Sequence, residues 1–153
     1  MPMNWPTCWR TRTAKSKLAG MNKYLAAYGA AALILVALDA VWIGLVAKTW
    51  YQQGIGHLMA ENPRVFVAGL FYALFVAGLV IFVVAPGGHT GTWQTTLLRG
   101  ALFGFFTYAT YDLTNLATLK DWPVGMSLLD MAWGATLSAA TGAAGKLGFD
   151  YFA

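Results

Sequence analysis

Tyr108-Ala-Thr-Tyr-Asp-Leu-Thr-Asn-Leu-Ala-Thr118 closes an apolar run that begins near Thr96. A run of that length and hydrophobicity predicts a helix inside a membrane. Yet it carries Asp112 and Asn115, with Tyr108 and Tyr111 one turn earlier. Helical spacing puts positions 108, 111, 112 and 115 on a single stripe. A polar stripe in a hydrophobic helix must face something other than lipid. The rest of the chain therefore has to supply its partners.

The bulk numbers agree with a membrane setting. The chain has 153 residues, enough for one domain, and is 58% hydrophobic and 10% charged. Its mean hydropathy is +0.55. A soluble domain carries about 25% charged residues, so this deficit points to an all-α integral membrane protein. The net charge of +4 comes mostly from residues 1–23, which hold Arg10, Arg12, Lys15, Lys17 and Lys23 and no acid. Beside a membrane, such residues contact anionic lipid and hold their end in the cytoplasm. The lipid bilayer, and no nucleic acid, is the partner they imply. Cys8 is the single cysteine, so no intrachain disulfide is expected. No metal cluster and no cofactor-binding motif is present in the sequence.

Residues 1–20 are polar, basic and acid-free and lack the apolar centre of a signal peptide. Met21 opens Met-Asn-Lys-Tyr directly ahead of the first apolar run. Residues 1–20 therefore read as a basic disordered leader or an upstream extension that carries no fold.

Within a single domain over 21–153, four apolar segments predict membrane helices over about 24–47, 65–85, 96–119 and 124–147. At 1.5 Å per residue, about 20 residues cross roughly 30 Å of hydrocarbon. The breaks have mechanisms: Asn62-Pro63 suits a turn and helix start, and Pro86-Gly87-Gly88 stops the second helix. Asp121-Trp122-Pro123 leaves so short a link that the last two helices form a hairpin. The fold class expected is thus a four-transmembrane-helix antiparallel bundle. Its longest link, Lys48 to Arg64, holds Trp50, Tyr51, Ile55, Leu58 and Met59, a composition suited to a short interfacial helix. Small residues at four-residue spacing, Gly100 with Gly104, Gly69-Ala73-Ala77 and Gly134-Ser138-Gly142, predict close helix packing within the bundle. A short echo, Leu-Asp-x-x-Trp at Leu38–Trp42 and again at Leu129–Trp133, is too brief to establish a duplication.

Three carboxylates, Asp39, Asp112 and Asp130, lie inside apolar segments. Each costs roughly 2.5–3.5 kcal/mol near a helix centre if charged, so three cost about 8–10 kcal/mol. They must be protonated, hydrogen-bonded or beside a wet cavity. In a hairpin array, the first and third links share a face. Asp39 is nine residues before Lys48, Asp112 eight before Lys120, and Asp130 nine after Asp121. Each then lies roughly 12–13 Å below that face, and Tyr72 reaches the same depth from Arg64. Asn115 and Trp42 should lie one turn nearer the surface, and Trp133 and Tyr108 one turn deeper. His57 and His89 fall in links and read as solvated. Lys48, Arg64 and Lys120 read as interface anchors.

The runs LDAVWIG, NPRVFVAGLFY, YATYDLTN, LKDWP and LLDMAWG, in that order, resemble the bacterial membrane family catalogued as domain of unknown function 2177. The resemblance covers Met21 to about Phe149. It implies a small multi-pass membrane protein and supplies no established activity.

The candidate site is therefore Asp39, Trp42, Tyr72, Tyr108, Asp112, Asn115, Asp130 and Trp133. Its expected function is to bind or carry a small or lipid-like molecule, with proton exchange on Asp112. Four helices are few for a solitary carrier, so transport would favour a homo-oligomer. Two rivals are an intramembrane enzyme acting on a lipid, with Asp130 or Asp39 as general base, and a structural subunit whose polar layer only fixes helix register. The basic N-terminal stretch predicts termini in the cytoplasm of a bacterial inner membrane. Without residues 1–20 the tally is even: Lys23, Arg99 and Lys146 against Lys48, Arg64 and Lys120.

Overall fold

The computed structural model describes residues 8–88 and 90–152, with side chains from residue 20 onward. Residues 1–7, His89 and Ala153 lie outside the described residues. The described chain is all-α. Helix α1 spans Cys8–Val41 and continues as a wider π turn over Trp42–Val46; α2 spans Lys48–Ile55; α3 spans Val65–Leu79, with a second π turn over Val80–Val84. Helix α4 spans Trp93–Thr118 and α5 spans Val124–Tyr151.

The stop and start signals act as their chemistry dictates. Pro63 precedes α3, and Gly88, at φ +48°, follows its end. The Thr92 side chain caps α4 by accepting from the Thr95 amide at 3.2 Å. The α4–α5 turn folds tightly over Trp122, which is buried and donates to Ser127 Oγ at 2.9 Å. A short helix, α2, is present in the link between the first two long helices. The backbone of Cys8–Gly20 is helical and continuous with α1. Leu18, Ala19 and the basic residues are good helix formers, and extending an existing helix needs no new nucleus.

Helix α5 is the spine, packed along the length of both α4 and α1. Its contact with α4 is backbone-close. A Cβ on Gly100 would lie 2.6 Å from the Ser138 carbonyl, and one on Gly104 would overlap the Gly134 carbonyl. The predicted ladders on α4 and α5 thus meet each other. The ladder on α3 does not behave this way: a Cβ on Gly69 would meet nothing within 4 Å. Helix α3 lies on α1 and reaches α4 and α5 chiefly through Val80–Val84.

The apolar core therefore sits in one half of the molecule. It joins Ala27, Ala31 and Leu35 of α1, Phe75–Val84 of α3, and Leu137 and Phe149 of α5. Toward the opposite end, α3 stands clear of α4, and Val65, Phe66, Val67, Leu70 and Leu74 are exposed. A broad apolar coat surrounds the molecule, with Leu45 78% and Phe66 84% exposed, far more than water tolerates on one surface.

Among the described residues, two segments are long and apolar enough to cross a membrane: Gly20–Val46, 27 residues at mean hydropathy 2.3, and Val65–Val84, 20 residues at 2.7. Helices α4 and α5 are 26 and 28 residues long but diluted by polar groups. Those groups point inward: Thr96, Asp112, Ser127, Asp130, Ser138 and Thr141 are all buried. The outward threonines are self-satisfied. Thr110, Thr114 and Thr118 each donate to the carbonyl four residues back, at 2.6–2.7 Å.

Candidate functional site

Where α3 parts from α4, a cavity of about 700 Å³ opens sideways. All five helices line it: Asp39 and Ile43 follow the α1 axis, Tyr51 comes from α2, and Ala68 to Phe75 come from α3. Phe103, Thr107, Tyr108 and Tyr111 come from α4, and Asp130 and Trp133 from α5. The volume falls within the roughly 300–1,000 Å³ of small-molecule sites.

The inner wall is a hydrogen-bonded network. Tyr72 donates to Asp39 Oδ2 at 2.5 Å, and Trp133 Nε1 donates to Asp39 Oδ1 at 3.3 Å. One carboxylate thus ties α1 to α3 and α5. Tyr51 donates to Asp130 Oδ1 at 2.5 Å. Burial first, and then that hydrogen bond, raises the Tyr51 hydroxyl pKa above its ordinary value, so it stays a donor. Asp130 lies within electrostatic reach of both Asp39 and Asp112. Tyr108 seats its ring where Gly134 has no Cβ and meets Phe75 edge-on at 6.5 Å.

The residues expected on one polar layer are largely brought together, with three differences. First, Trp42 and Trp133 were expected above and below the layer, yet their rings stack with centroids 4.2 Å apart and planes 6° from parallel. Helical side chains lean toward their own N-terminus. Trp42, on a helix running toward the links, leans inward; Trp133, on one running away from them, leans outward, so they meet. Second, the stripe on α4 divides. Tyr108 and Tyr111 line the cavity, whereas Asp112 turns toward α5 and is fully buried behind the wall. Third, Asn115 is half-buried beside Tyr111 and lines no part of the cavity.

Asp112 has an unusual setting. Neither of its oxygens has a hydrogen-bond partner at bonding geometry among the described residues. It faces Ser127, whose Oγ already accepts from Trp122 and so keeps its own proton to offer. None of the described cavity-lining residues is basic. Among the described residues the ion pair found is Lys146 with Asp150, 2.9 Å apart, on the opposite face. Asp39 and Asp130 thus line the cavity with no cationic side chain beside them among its described lining residues.

Tyr51 is the member that sequence reasoning missed. Next to Trp50 it looks like half of an interfacial aromatic pair; Trp50 is indeed exposed, but Tyr51 is half-buried. The available signal was spacing: Tyr51, Gly54 and Ile55 share one face of a short helix. Gly54 lets that face approach, since a Cβ there would lie 3.0 Å from the Pro123 ring.

A family model described as Predicted membrane protein (DUF2177) matches residues 24–147. No curated protein and no solved structure matches the chain significantly.

Proposed function

The chain belongs to the DUF2177 family of predicted membrane proteins, and from that premise we propose a multi-pass binding protein or carrier for a small, lipid-like molecule. In this reading α1, α3, α4 and α5 all span a bacterial inner membrane. The length of α4, 26 residues or about 39 Å, suffices for a crossing. The inward aim of its polar residues leaves an apolar outer surface, which supports a lipid-facing role despite its composition.

One observation carries the functional reading: the cavity has an apolar mouth between two helices and a polar inner wall. Phe71, Leu74 and Phe103 frame the mouth, while Asp39, Asp130, Tyr51, Tyr72 and Tyr108 stand inside. A molecule entering from lipid would keep its chain among the former and set its head against the latter. The same hydrogen bonds also hold helix register, but a lock alone needs no cavity beside it.

Ala68→Trp tests the proposal, because Ala68 lines the mouth from α3 and a bulky ring there would plug the slot. Wild-type protein extracted gently in a mild detergent should carry a defined small molecule or lipid by mass spectrometry, and the plugged variant should lose it at unchanged melting temperature. Equal occupancy in both, or none in the wild type, would overturn the reading.

A further inference from the structure

The cavity's charge is uncompensated. Asp39 is 5% and Asp130 4% exposed, and Asp112 stands behind them, yet among the described residues no lysine, arginine or histidine lines the space. The acids have neutral donors only: the tyrosine hydroxyls of Tyr72 and Tyr51 and the Trp133 indole N–H. Carboxylates in such surroundings gain most from a mobile cation, since opposite charges attract strongly where water is scarce. The other wall groups favour the same guest. Tyr72, Tyr108, Phe75 and Trp133 present aromatic rings to the space, and ring faces attract cations, most of all tryptophan's. An anionic head would face two carboxylates with no counter-charge. A neutral hydroxyl could hydrogen-bond but would leave the acids as they were.

The mouth defines the rest of the guest. Phe71 and Leu74, 49% and 64% exposed, flank a slot on the lipid-facing side of α3. From these features we propose that the ligand is an amphipathic cation: an ammonium head held between Asp39 and Asp130, with an alkyl chain leaving through the α3–α4 slot. The proposal rests on the cavity being a binding site and names the class of molecule it takes.

Three probes that share one chain separate the two claims: tetradecylamine, tetradecanol and tetradecyl phosphate, offered to the protein in a neutral maltoside detergent. Native mass spectrometry reads the bound fraction. The amine should bind about tenfold or more tightly than the alcohol, and the phosphate more weakly than either. Asp39→Asn with Asp130→Asn should remove the amine's advantage while the alcohol still binds. Should that variant fail to fold, the ranking of the three probes on the wild type decides. Equal or tighter binding of the alcohol or the phosphate, expelled by Ala68→Trp, would overturn the cation and leave the cavity reading standing. Failure of all three to bind, or binding that Ala68→Trp does not touch, would overturn both.

Discussion

Tyr51 and Asp112 show two ways of keeping a buried carboxylate. Asp130 takes its hydrogen bond from Tyr51 across a loop-borne helix, 79 positions apart in sequence. Tyr51→Phe removes that donor and leaves a buried acid short of a partner, which costs about 1–3 kcal/mol. The expected outcome is a lower melting temperature in detergent, with most of the loss recovered when Asp130→Asn is added. A double variant no more stable than the single one would show that Tyr51 acts by packing alone. Asp112 has no such donor at bonding geometry. Asp112→Asn keeps the shape and an acceptor for Ser127 while removing a charge that is costly to bury. It should melt at the wild-type temperature or above, whereas Asp112→Leu, which strands the Ser127 hydroxyl, should melt lower. An Asn variant less stable than the Leu variant would contradict this account. Because Asp112 does not line the cavity, neither change should alter ligand occupancy directly.

At the scale of elements, the distances between helices follow from which residues lack a side chain. Helices α4 and α5 touch at Gly100 and Gly104, and α5 meets α1 at Gly148, where a Cβ would lie 2.5 Å from the Ala26 carbonyl. Helix α3 has no comparable backbone contact with α4, and its first half diverges. Gly104→Ala should push α4 from α5 and destabilise the protein by about 1–3 kcal/mol. Gly69→Ala, with open space around the new methyl, should be neutral or stabilising, because alanine favours a helix by up to about 1 kcal/mol over glycine. Thermal melts of the two variants in one detergent compare them directly. Equal losses would mean that the α4–α5 approach is not what Gly104 protects. The π turn at Trp42–Val46 follows Asp39 and delivers the chain to α2, whose Tyr51 reaches back to the polar wall.

For the whole molecule, the two faces differ in how their charges are held. On the terminal face, Lys23 lies 4.8 Å from the Phe149 ring centroid, and Lys146 lies 5.5 Å from that of Trp93 while pairing with Asp150. Arg10, Arg12, Lys15 and Lys17 precede the first apolar run in sequence. The link face sets Lys48, Arg64 and Lys120 against Glu61 and Asp121. The excess of basic residues predicts that the terminal face is cytoplasmic. Alkaline phosphatase fused after Ala153 should then be inactive, and a fluorescent protein at the same position should glow; an active phosphatase would reverse the orientation. In the expected orientation the cavity opens within the outer half of the bilayer.

Sequence alone determined the four long helices, the breaks between them and the short helix between the first two. Those features follow from local rules: apolar run length, Pro and Gly at breaks, and a fixed rise per residue. Hydropathy marked α1 and α3 clearly and α4 and α5 less so, because the last two helices carry the buried polar residues. What only the tertiary structure decided was direction. Asp112 turned into α5 and Tyr108 into the cavity, although both lie on one stripe of α4. Trp42 met Trp133 because their helices run in opposite senses, and Tyr51 left the interface for Asp130. The cavity itself arose from a non-local cause: glycines draw α4 against α5, while α3 reaches that pair chiefly through Val80–Val84. No single segment encodes that difference in spacing, because it depends on which small residues face each other after the helices have packed.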